Sequence, residues 1–223
     1  TYNAAIGRNT FGSTTALSTG NENTAVGEGS LFDNTSGAGN TALGSGSLSS
    51  NTSGSYNIGL GLNTFGTTTA NNTGSYNIGI GESALFDNIS GASNIAIGES
   101  ALSKNTTGSY LVAIGRLALA NSNGSNSNTA VGSEAMRYTT TGFESSAFGY
   151  RALNSNTTGY RDSAFGTYAL QANTEGYQNS SFGNESLYYN TTGNSNAAFG
   201  TNALHSNTTG SYNVAFGYNT FGT

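Results

Sequence analysis

The stretch NIAIGESALSKNTTGSY, from Asn94 to Tyr110, is one copy of a unit that recurs along the whole chain. Its marker is a small residue, a large apolar residue and a glycine, and this marker occurs thirteen times in the 223 residues. Ten of the twelve intervals between marker glycines follow a 17-residue period, and the other two follow a 20-residue period. A fixed short period is typical of a solenoid, in which each unit buries its apolar residues by stacking on its neighbours.

The residue types within the unit favour strands over helices. Glycines such as Gly98 and Gly108 recur at fixed positions where they would break a helix. Two short strand-like runs remain, 95–97 and 100–102, and they are followed by Asn-Thr-Thr-Gly, which is typical of turns. The sequence therefore predicts an all-β fold, a parallel β-solenoid or β-roll with one 17-residue coil per repeat.

The repeats cover the whole chain, so we predict a single repeat domain over 1–223 with thirteen coils, of which two are longer, 20-residue coils. The two three-residue insertions fall within 10–20 and 64–74 and predict bulges in a surface loop. Residues 211–223 nearly repeat residues 1–13. We therefore expect a segment of a longer fibre, or a unit that stacks head to tail.

The few charged residues give independent support for stacking of the coils at a spacing of 17 residues. Neighbouring strands lie roughly 4.8 Å apart, so side chains one coil apart should lie above one another. Opposite charges fall at or near this spacing in four pairs: Glu99 with Arg116, Asp87 with Lys104, Glu134 with Arg151, and Glu144 with Arg161.

Each strand marker places a small residue directly before a large one, as in Ala113 and Ile114. Successive side chains of a strand point to opposite faces, so one column faces the coil interior and the other faces outward. Because both columns are apolar or small, we expect the coils to pack against copies of the same chain. The alternative is that a bent coil holds both columns within one chain. The large residues are predicted to form the structural core columns: Ile6, Val26, Leu43, Leu60, Ile80, Ile97, Ile114, Val131, Phe148, Phe165, Phe182, Phe199 and Phe216.

Composition argues against several functional classes. Only 8% of the residues are charged and the net charge is −5, so we expect no nucleic-acid partner. There is no apolar run of membrane-spanning length, and we expect no membrane insertion by this segment. The chain has no cysteine and one histidine, His205, so no nucleophile, base and orienting group can be assembled around it. We predict no catalytic residue, no cofactor, no metal site and no enzymatic activity.

Asn-x-Ser/Thr sequences recur in the turn that closes the coil. They have two interpretations: glycan acceptors along one edge, or turn residues that stack in a hydrogen-bonded ladder, and the second is favoured. The candidate glycosylation sites are Asn34, Asn51, Asn71, Asn88, Asn105, Asn156, Asn190 and Asn207.

The sequences around the marker resemble those of a known family. Asn-Thr-Ala-Val-Gly at 23–27 and 128–132, Asn-Ile-Ala-Ile-Gly at 94–98 and the small-Leu pair after them resemble the head repeats of trimeric autotransporter adhesins of the YadA type. The resemblance covers all thirteen coils and implies a left-handed β-roll in a homotrimeric head that binds host matrix or other surfaces. The present unit is longer than the family's usual unit, and it also resembles the repeats of phage and viral tail fibres.

From these observations we expect an extracellular structural and adhesive fibre segment, exposed on a cell or virion surface. It would be a rigid trimeric β-roll whose exposed turns and tyrosine-rich edges contact a host surface glycan or a matrix protein. The alternative is a self-assembling, glycosylated extracellular filament, built by head-to-tail stacking of coils.

Overall fold

The computed structural model describes residues 2–12, 19–66 and 71–221. The chain divides into two compact units, Thr1–Leu111 and Val112–Thr223. In the described part of the first unit the strands are Ala4–Ile6 (β1), Thr24–Val26 (β2), Thr41–Leu43 (β3), Ile58–Leu60 (β4), Ile78–Ile80 (β5) and Ile95–Ile97 (β6). In the second unit they are Val112–Ile114 (β7), Thr129–Val131 (β8), Ser146–Phe148 (β9), Ser163–Phe165 (β10), Ser180–Phe182 (β11), Ala197–Phe199 (β12) and Val214–Phe216 (β13).

Each strand pairs in parallel with the strand of the next coil. In the first unit β1 to β6 pair in sequence order, and in the second unit β7 to β13 do the same. Thr24 pairs with Thr41 across a 17-residue coil, and Ala4 pairs with Thr24 across a longer, 20-residue coil. The prediction of an all-β parallel solenoid with 17-residue coils is confirmed.

The second predicted strand of the coil is a turn. Ser100 and Leu102 have φ angles of 54° and 53°, in the left-handed region, and the residue between them is Ala101. A non-glycine residue in this region costs on the order of 1 kcal/mol or more. Hydrogen bonds between coils offset this cost, since the Ser100 N–H donates to the Glu82 carbonyl at 2.9 Å and the Leu85 N–H donates to the Ala101 carbonyl at 3.0 Å.

This turn places two neighbouring side chains inside the coil. Ala101 and Leu102 are both fully buried, together with Ala96 from the middle of β6. In a strand, one of these two neighbouring side chains would point outward. The same three positions form the apolar core of each unit, and the largest side chains at the leucine position are Leu31, Leu48, Phe65, Leu85, Leu102, Leu119, Met136, Leu153, Leu170 and Leu187.

The interior is narrow, and its residue sizes compensate one another. Where the leucine position carries the larger Phe65, the strand residue packed against it is Gly79 and not alanine. A methyl group at Gly79 would lie 2.8 Å from Cε2 of Phe65, which is too close for two carbon atoms. At this position the interior therefore holds glycine beside phenylalanine, where other coils, such as that of Ala96 and Leu102, hold alanine beside leucine.

The predicted core columns do not lie in this interior, and that prediction is wrong for the single chain. The middle residue of each strand points inward, so the large third residue points outward and stays exposed or half-buried. The alternative with both columns inside one chain is wrong for the same reason. The residues concerned are Ile6, Val26, Leu43, Leu60, Ile80, Ile97, Ile114, Val131, Phe148, Phe165, Phe182, Phe199 and Phe216.

Candidate functional site

The first and third residues of the strands form the outward strand face of each unit. In the second unit the third residues build a phenylalanine ladder from Phe148 to Phe216, in which successive ring centroids are 4.7 to 5.1 Å apart. The rings are nearly parallel, with interplanar angles of 3° to 8°. Phe182 is 37% exposed in the single chain. The ladder is thus an apolar column that stays partly exposed among the described residues of its unit.

Beside most of these rings, from β9 to β12, the first strand residue is a small serine or alanine. Ser146, Ser163 and Ser180 precede the inward-pointing residues of their strands, and they lie on the same side as the phenylalanines. The outward strand face therefore carries a ridge of rings next to a groove of small side chains. In the first unit both positions are large at β4 to β6, as in Ile78 and Ile80.

A second exposed region lies on the turns of the second unit. We call it the tyrosine edge; it consists of Tyr150, Tyr168, Tyr188, Tyr189 and His205. Their rings contact one another at centroid distances of 4.7 to 6.1 Å. Burial raises the pKa of Tyr188, and the neighbouring Tyr189 and Glu185 raise it further. Tyrosine rings on a surface are common in protein-recognition sites because they contribute large contact areas with few rotatable bonds.

Glu134 forms ion pairs with three arginines beside this edge. Its carboxylate is nearly buried and lies 3.1 Å from Arg151, 3.3 Å from Arg137 and 3.5 Å from Arg116. Burial disfavours its charged form, but the hydrogen bonds and charges of Arg151 and Arg137 outweigh burial and hold its pKa below the usual value. The Arg151 guanidinium also lies over the Tyr150 ring, 5.2 Å from the centroid.

The charge pairs predicted from the register are found in part. Glu134 pairs with Arg151, and Glu144 accepts a hydrogen bond from Arg161 at 2.7 Å. Burial raises the pKa of Asp87, and the charge of Lys104 counteracts this effect. The pairing of Glu99 with Arg116 joins residues of different units and stays a prediction.

The asparagines proposed as glycan acceptors form a turn ladder inside the coil. The Asn105 Nδ2 donates to the Gly108 carbonyl at 3.0 Å and to Oδ1 of Asn88, one coil away, at 3.1 Å. Because a glycan would have to be attached to this buried nitrogen, the acceptor interpretation is wrong for the fully buried members. These are Asn34, Asn51, Asn88, Asn105, Asn156 and Asn190.

Asn207 and Asn71 complete the predicted set. Asn207 is half-buried, but its Nδ2 makes the same two bonds, to Asn190 and to Gly210. Asn71 is exposed and lies outside the turn ladder, because its neighbour Asn72 occupies the ladder position. The structural interpretation of the recurring Asn-x-Ser/Thr sequence therefore fits the turn ladder, whereas Asn71 is the exposed member of the predicted set.

A second ladder was not predicted. We call it the strand ladder; its members precede the strands and include Asn23, Asn40, Asn57, Asn77 and Asn94. Each Oδ1 accepts the backbone N–H of the next member, as from Asn57 to Asn40 at 2.9 Å, and most Nδ2 groups donate to a glycine carbonyl. The signal is an asparagine repeated one residue before almost every strand, which turn propensity alone does not explain.

Asp162 stands in the strand ladder of the second unit and is almost fully buried. Its Oδ1 accepts the N–H of Asn179 at 2.8 Å, and its Oδ2 accepts Nδ2 of Asn173 at 3.2 Å. Burial raises the pKa of Asp162 to about 7, although the hydrogen bonds from Asn179 act in the opposite direction. Asp162 therefore places a buried titratable group in the strand ladder of the second unit.

His205 belongs to the tyrosine edge. Its Nε2 lies 3.4 Å from a Glu185 carboxylate oxygen, and its ring stacks on Tyr188 at 5.3 Å. Within the described ranges, no group of three or more histidine, cysteine, aspartate or glutamate side chains could hold a metal ion. The described part of the chain also contains no helix with the length and apolar character needed to cross a membrane.

The insertions predicted to bulge from a surface loop lie largely in residues 13–18 and 67–70, outside the described residues. Comparison with known proteins adds no further identification. No protein-family model, no curated protein and no solved structure matches this chain. The geometry of the chain alone thus shows that it is a β-solenoid repeat protein.

Proposed function

We propose that the chain is an extracellular structural and adhesive fibre segment whose β-roll associates with copies of itself as a homotrimer. The observation that carries the proposal is the outward strand face of the second unit, with its ladder of stacked phenylalanines from Phe148 to Phe216. Contiguous apolar surfaces on soluble proteins mark interaction sites. The proposal assigns the chain no catalytic reaction, cofactor or metal.

The regular repeat of this face supports a second copy of the same chain as its partner. The ridge of rings repeats at 4.7 to 5.1 Å, and the adjacent groove of small residues has the same strand spacing. A symmetry-related copy presents a ridge and a groove with the same repeat, so each ridge can lie in the partner's groove. Such self-complementary surfaces are typical of closed homo-oligomers. The YadA resemblance favours three copies over two.

The adhesive part of the proposal rests on the tyrosine edge. These rings lie on turns and not on the strand face, so self-association through the strands leaves them accessible. Tyr189 is 50% exposed, and Tyr150 is 39% exposed beside the Arg151 guanidinium. Tyrosine and arginine are the residue types enriched at the centres of binding interfaces. We propose that this edge contacts a host surface component, a glycan or a matrix protein, from a cell or virion surface.

Sedimentation equilibrium and light scattering of the purified chain test the association. We expect a mass of three times the chain mass of 22.6 kDa. The variant Phe182→Glu places a charge in the middle of the ladder and should give single chains with an unchanged circular dichroism spectrum. The control variant Tyr189→Glu changes an exposed ring of the tyrosine edge and should remain trimeric.

A wild-type chain that stays monomeric at high concentration would contradict the proposal. Long unbranched threads in negative-stain electron micrographs would instead support the alternative function, a filament built by head-to-tail stacking. The two functions also differ in their response to Phe182→Glu, because head-to-tail stacking joins strand edges and does not use the outward strand face.

A further inference from the structure

Three aromatic residues in successive coils of the second unit form a short stack on the exposed turns. The ring centroids of Phe143 and Tyr160 are 5.0 Å apart, and those of Tyr160 and Tyr177 are 4.9 Å apart. The interplanar angles are 4° and 2°, so the rings lie face to face. This stack was not predicted, although its members recur at the 17-residue spacing.

The stack stops at Phe143 because the preceding coil carries Asn126 at the same position. The backbone bond from the Glu144 N–H to the Asn126 carbonyl, at 3.2 Å, shows that the two coils remain in register there. One face of the Phe143 ring contacts Tyr160, and the other points toward the place where a further ring would lie. Phe143 is 37% exposed.

A cavity of about 410 Å³ occupies that place. This volume lies within the range of roughly 300 to 1,000 Å³ that small-molecule sites have. Its remaining walls are small or polar: Gly124, Asn126, Ser127, Thr141 and Glu144. A flat apolar ring on one side thus faces amide, hydroxyl and carboxylate groups on the other sides.

The charges around the cavity favour a neutral ligand. The Glu144 carboxylate accepts a hydrogen bond from Arg161 at 2.7 Å, so its charge is balanced by a neighbouring cation. It retains acceptor capacity for hydroxyl groups, because an ionised carboxylate has about four lone-pair sites. A ligand with one apolar face and hydroxyl groups around its rim matches this lining.

We propose that this cavity binds a pyranose ring of a surface glycan, with the C–H face of the sugar stacked on Phe143. The sugar hydroxyls would bond to the polar groups of Asn126, Ser127 and Glu144. The inference rests on the proposed adhesive function and gives it a ligand class and a binding site. The tyrosine edge is a separate region, whose residues are not among those that line this cavity.

Saturation-transfer NMR with single methyl glycosides tests the site on the whole chain. The probes are methyl β-D-glucopyranoside, methyl β-D-galactopyranoside and methyl α-D-mannopyranoside, with p-cresol as a planar aromatic probe. We expect at least one pyranoside to receive saturation through its ring C–H protons. Phe143→Ala should weaken its binding about tenfold or more, because the stacking face is lost.

Two further variants separate the site from a general effect of aromatic residues. Asn126→Tyr continues the stack by one ring, fills the cavity and should abolish binding while Phe143 remains in place. Tyr177→Ala removes the ring at the opposite end of the stack, leaves the cavity intact and should bind as the wild type does. All three variants should keep the circular dichroism spectrum of the wild type, because the residues lie outside the buried core.

Three results would overturn the inference: no pyranoside binds the wild type, only p-cresol binds, or Asn126→Tyr binds the pyranoside unchanged. These results are distinct from failure of the proposed function. A trimer that binds no pyranoside removes the glycan site alone, whereas a monomer that binds one removes the trimeric fibre and leaves the glycan site in place.

Discussion

In the first unit the strand ladder is made of asparagine from Asn23 to Asn94, whereas in the second unit a serine and an aspartate interrupt it at Ser145 and Asp162. An asparagine side chain accepts one backbone N–H and donates to one glycine carbonyl without carrying a charge. Ser145 continues the accepting role, since its Oγ accepts the Asp162 N–H at 3.1 Å. The aspartate continues the accepting role too, but an ionised carboxylate cannot donate.

In the second unit the other ladder satisfies the extra acceptor of Asp162. The Asn173 Nδ2 donates to Asp162 Oδ2 at 3.2 Å, in addition to the bond that turn-ladder asparagines make to the glycine carbonyl, here Gly176 at 2.9 Å. The two ladders are therefore coupled at this coil. An amide ladder carries no titratable group, whereas we expect the buried carboxyl group of Asp162 to make the stability of the second unit depend on pH.

The largest effect is expected from breaking the ladder of the first unit. Asn57→Ala removes the acceptor of the Asn77 N–H and the donor to the Gly74 carbonyl, and both groups remain buried. Each unsatisfied buried group costs about 1 to 3 kcal/mol, so the free energy of unfolding should fall by roughly 2 to 6 kcal/mol. Urea denaturation followed by circular dichroism measures this loss. The matched control is Asn71→Ala at an exposed asparagine, and an equal loss in both variants would show that the ladder bonds do not stabilise the fold.

The next effect is expected from repairing the ladder of the second unit. Because the folded state raises the pKa of Asp162 from its ordinary 3.8 to about 7, folding favours the protonated carboxyl. Its contribution to stability is therefore greatest below pH 4, falls as the pH rises toward 7 and stays low above that. The difference is on the order of 4 kcal/mol, at about 1.36 kcal/mol per pKa unit.

Asp162→Asn should abolish this decline. We expect the variant to match the wild type near pH 4 and to be clearly more stable at pH 8, in urea titrations at a series of pH values. The reverse change, Asn57→Asp, should introduce a similar decline in the first unit. If the wild type and Asp162→Asn lose stability in parallel between pH 4 and pH 8, Asp162 is not the source of the pH dependence.

The smallest effect concerns the packing of the first unit. Gly79→Ala places a methyl group 2.8 Å from Cε2 of Phe65 and should lower the free energy of unfolding by about 1 to 3 kcal/mol. The double variant Phe65→Leu with Gly79→Ala recreates the leucine and alanine pair that other coils use. We expect it to recover most of the loss in thermal unfolding, and a double variant no more stable than Gly79→Ala would contradict size compensation.

The period and the strand positions could be predicted, because the marker glycines and apolar residues recur visibly in the sequence. The direction of the side chains could not, since alternation over a three-residue strand does not say which face is inside. Ala96 faces inward and Ile97 outward because the interior beside Leu102 is too narrow for a larger residue.

The turn that replaces the second predicted strand could not be predicted from most of its residue types either. Leucine at φ 53° is uncommon, and the residues Ala101 and Leu102 read as an apolar strand. A signal was nevertheless present at the position of Ser100, because other coils carry glycine or asparagine there, as at Gly29, Gly46 and Asn63. These residue types favour the left-handed region, and their recurrence at one position indicates it.

One of the two longer coils of the first unit shows that the strand ladder tolerates a change in coil length. The bond from the Asn77 N–H to Asn57 Oδ1 crosses a 20-residue coil and the bond from the Asn57 N–H to Asn40 Oδ1 crosses a 17-residue coil, yet both are 2.9 Å long. The ladder therefore joins successive coils without regard to the length of the turn between them. In evolutionary terms, insertions of a few residues in such a turn leave the bonds of the interior unchanged, so coil length can vary while the ladder is kept.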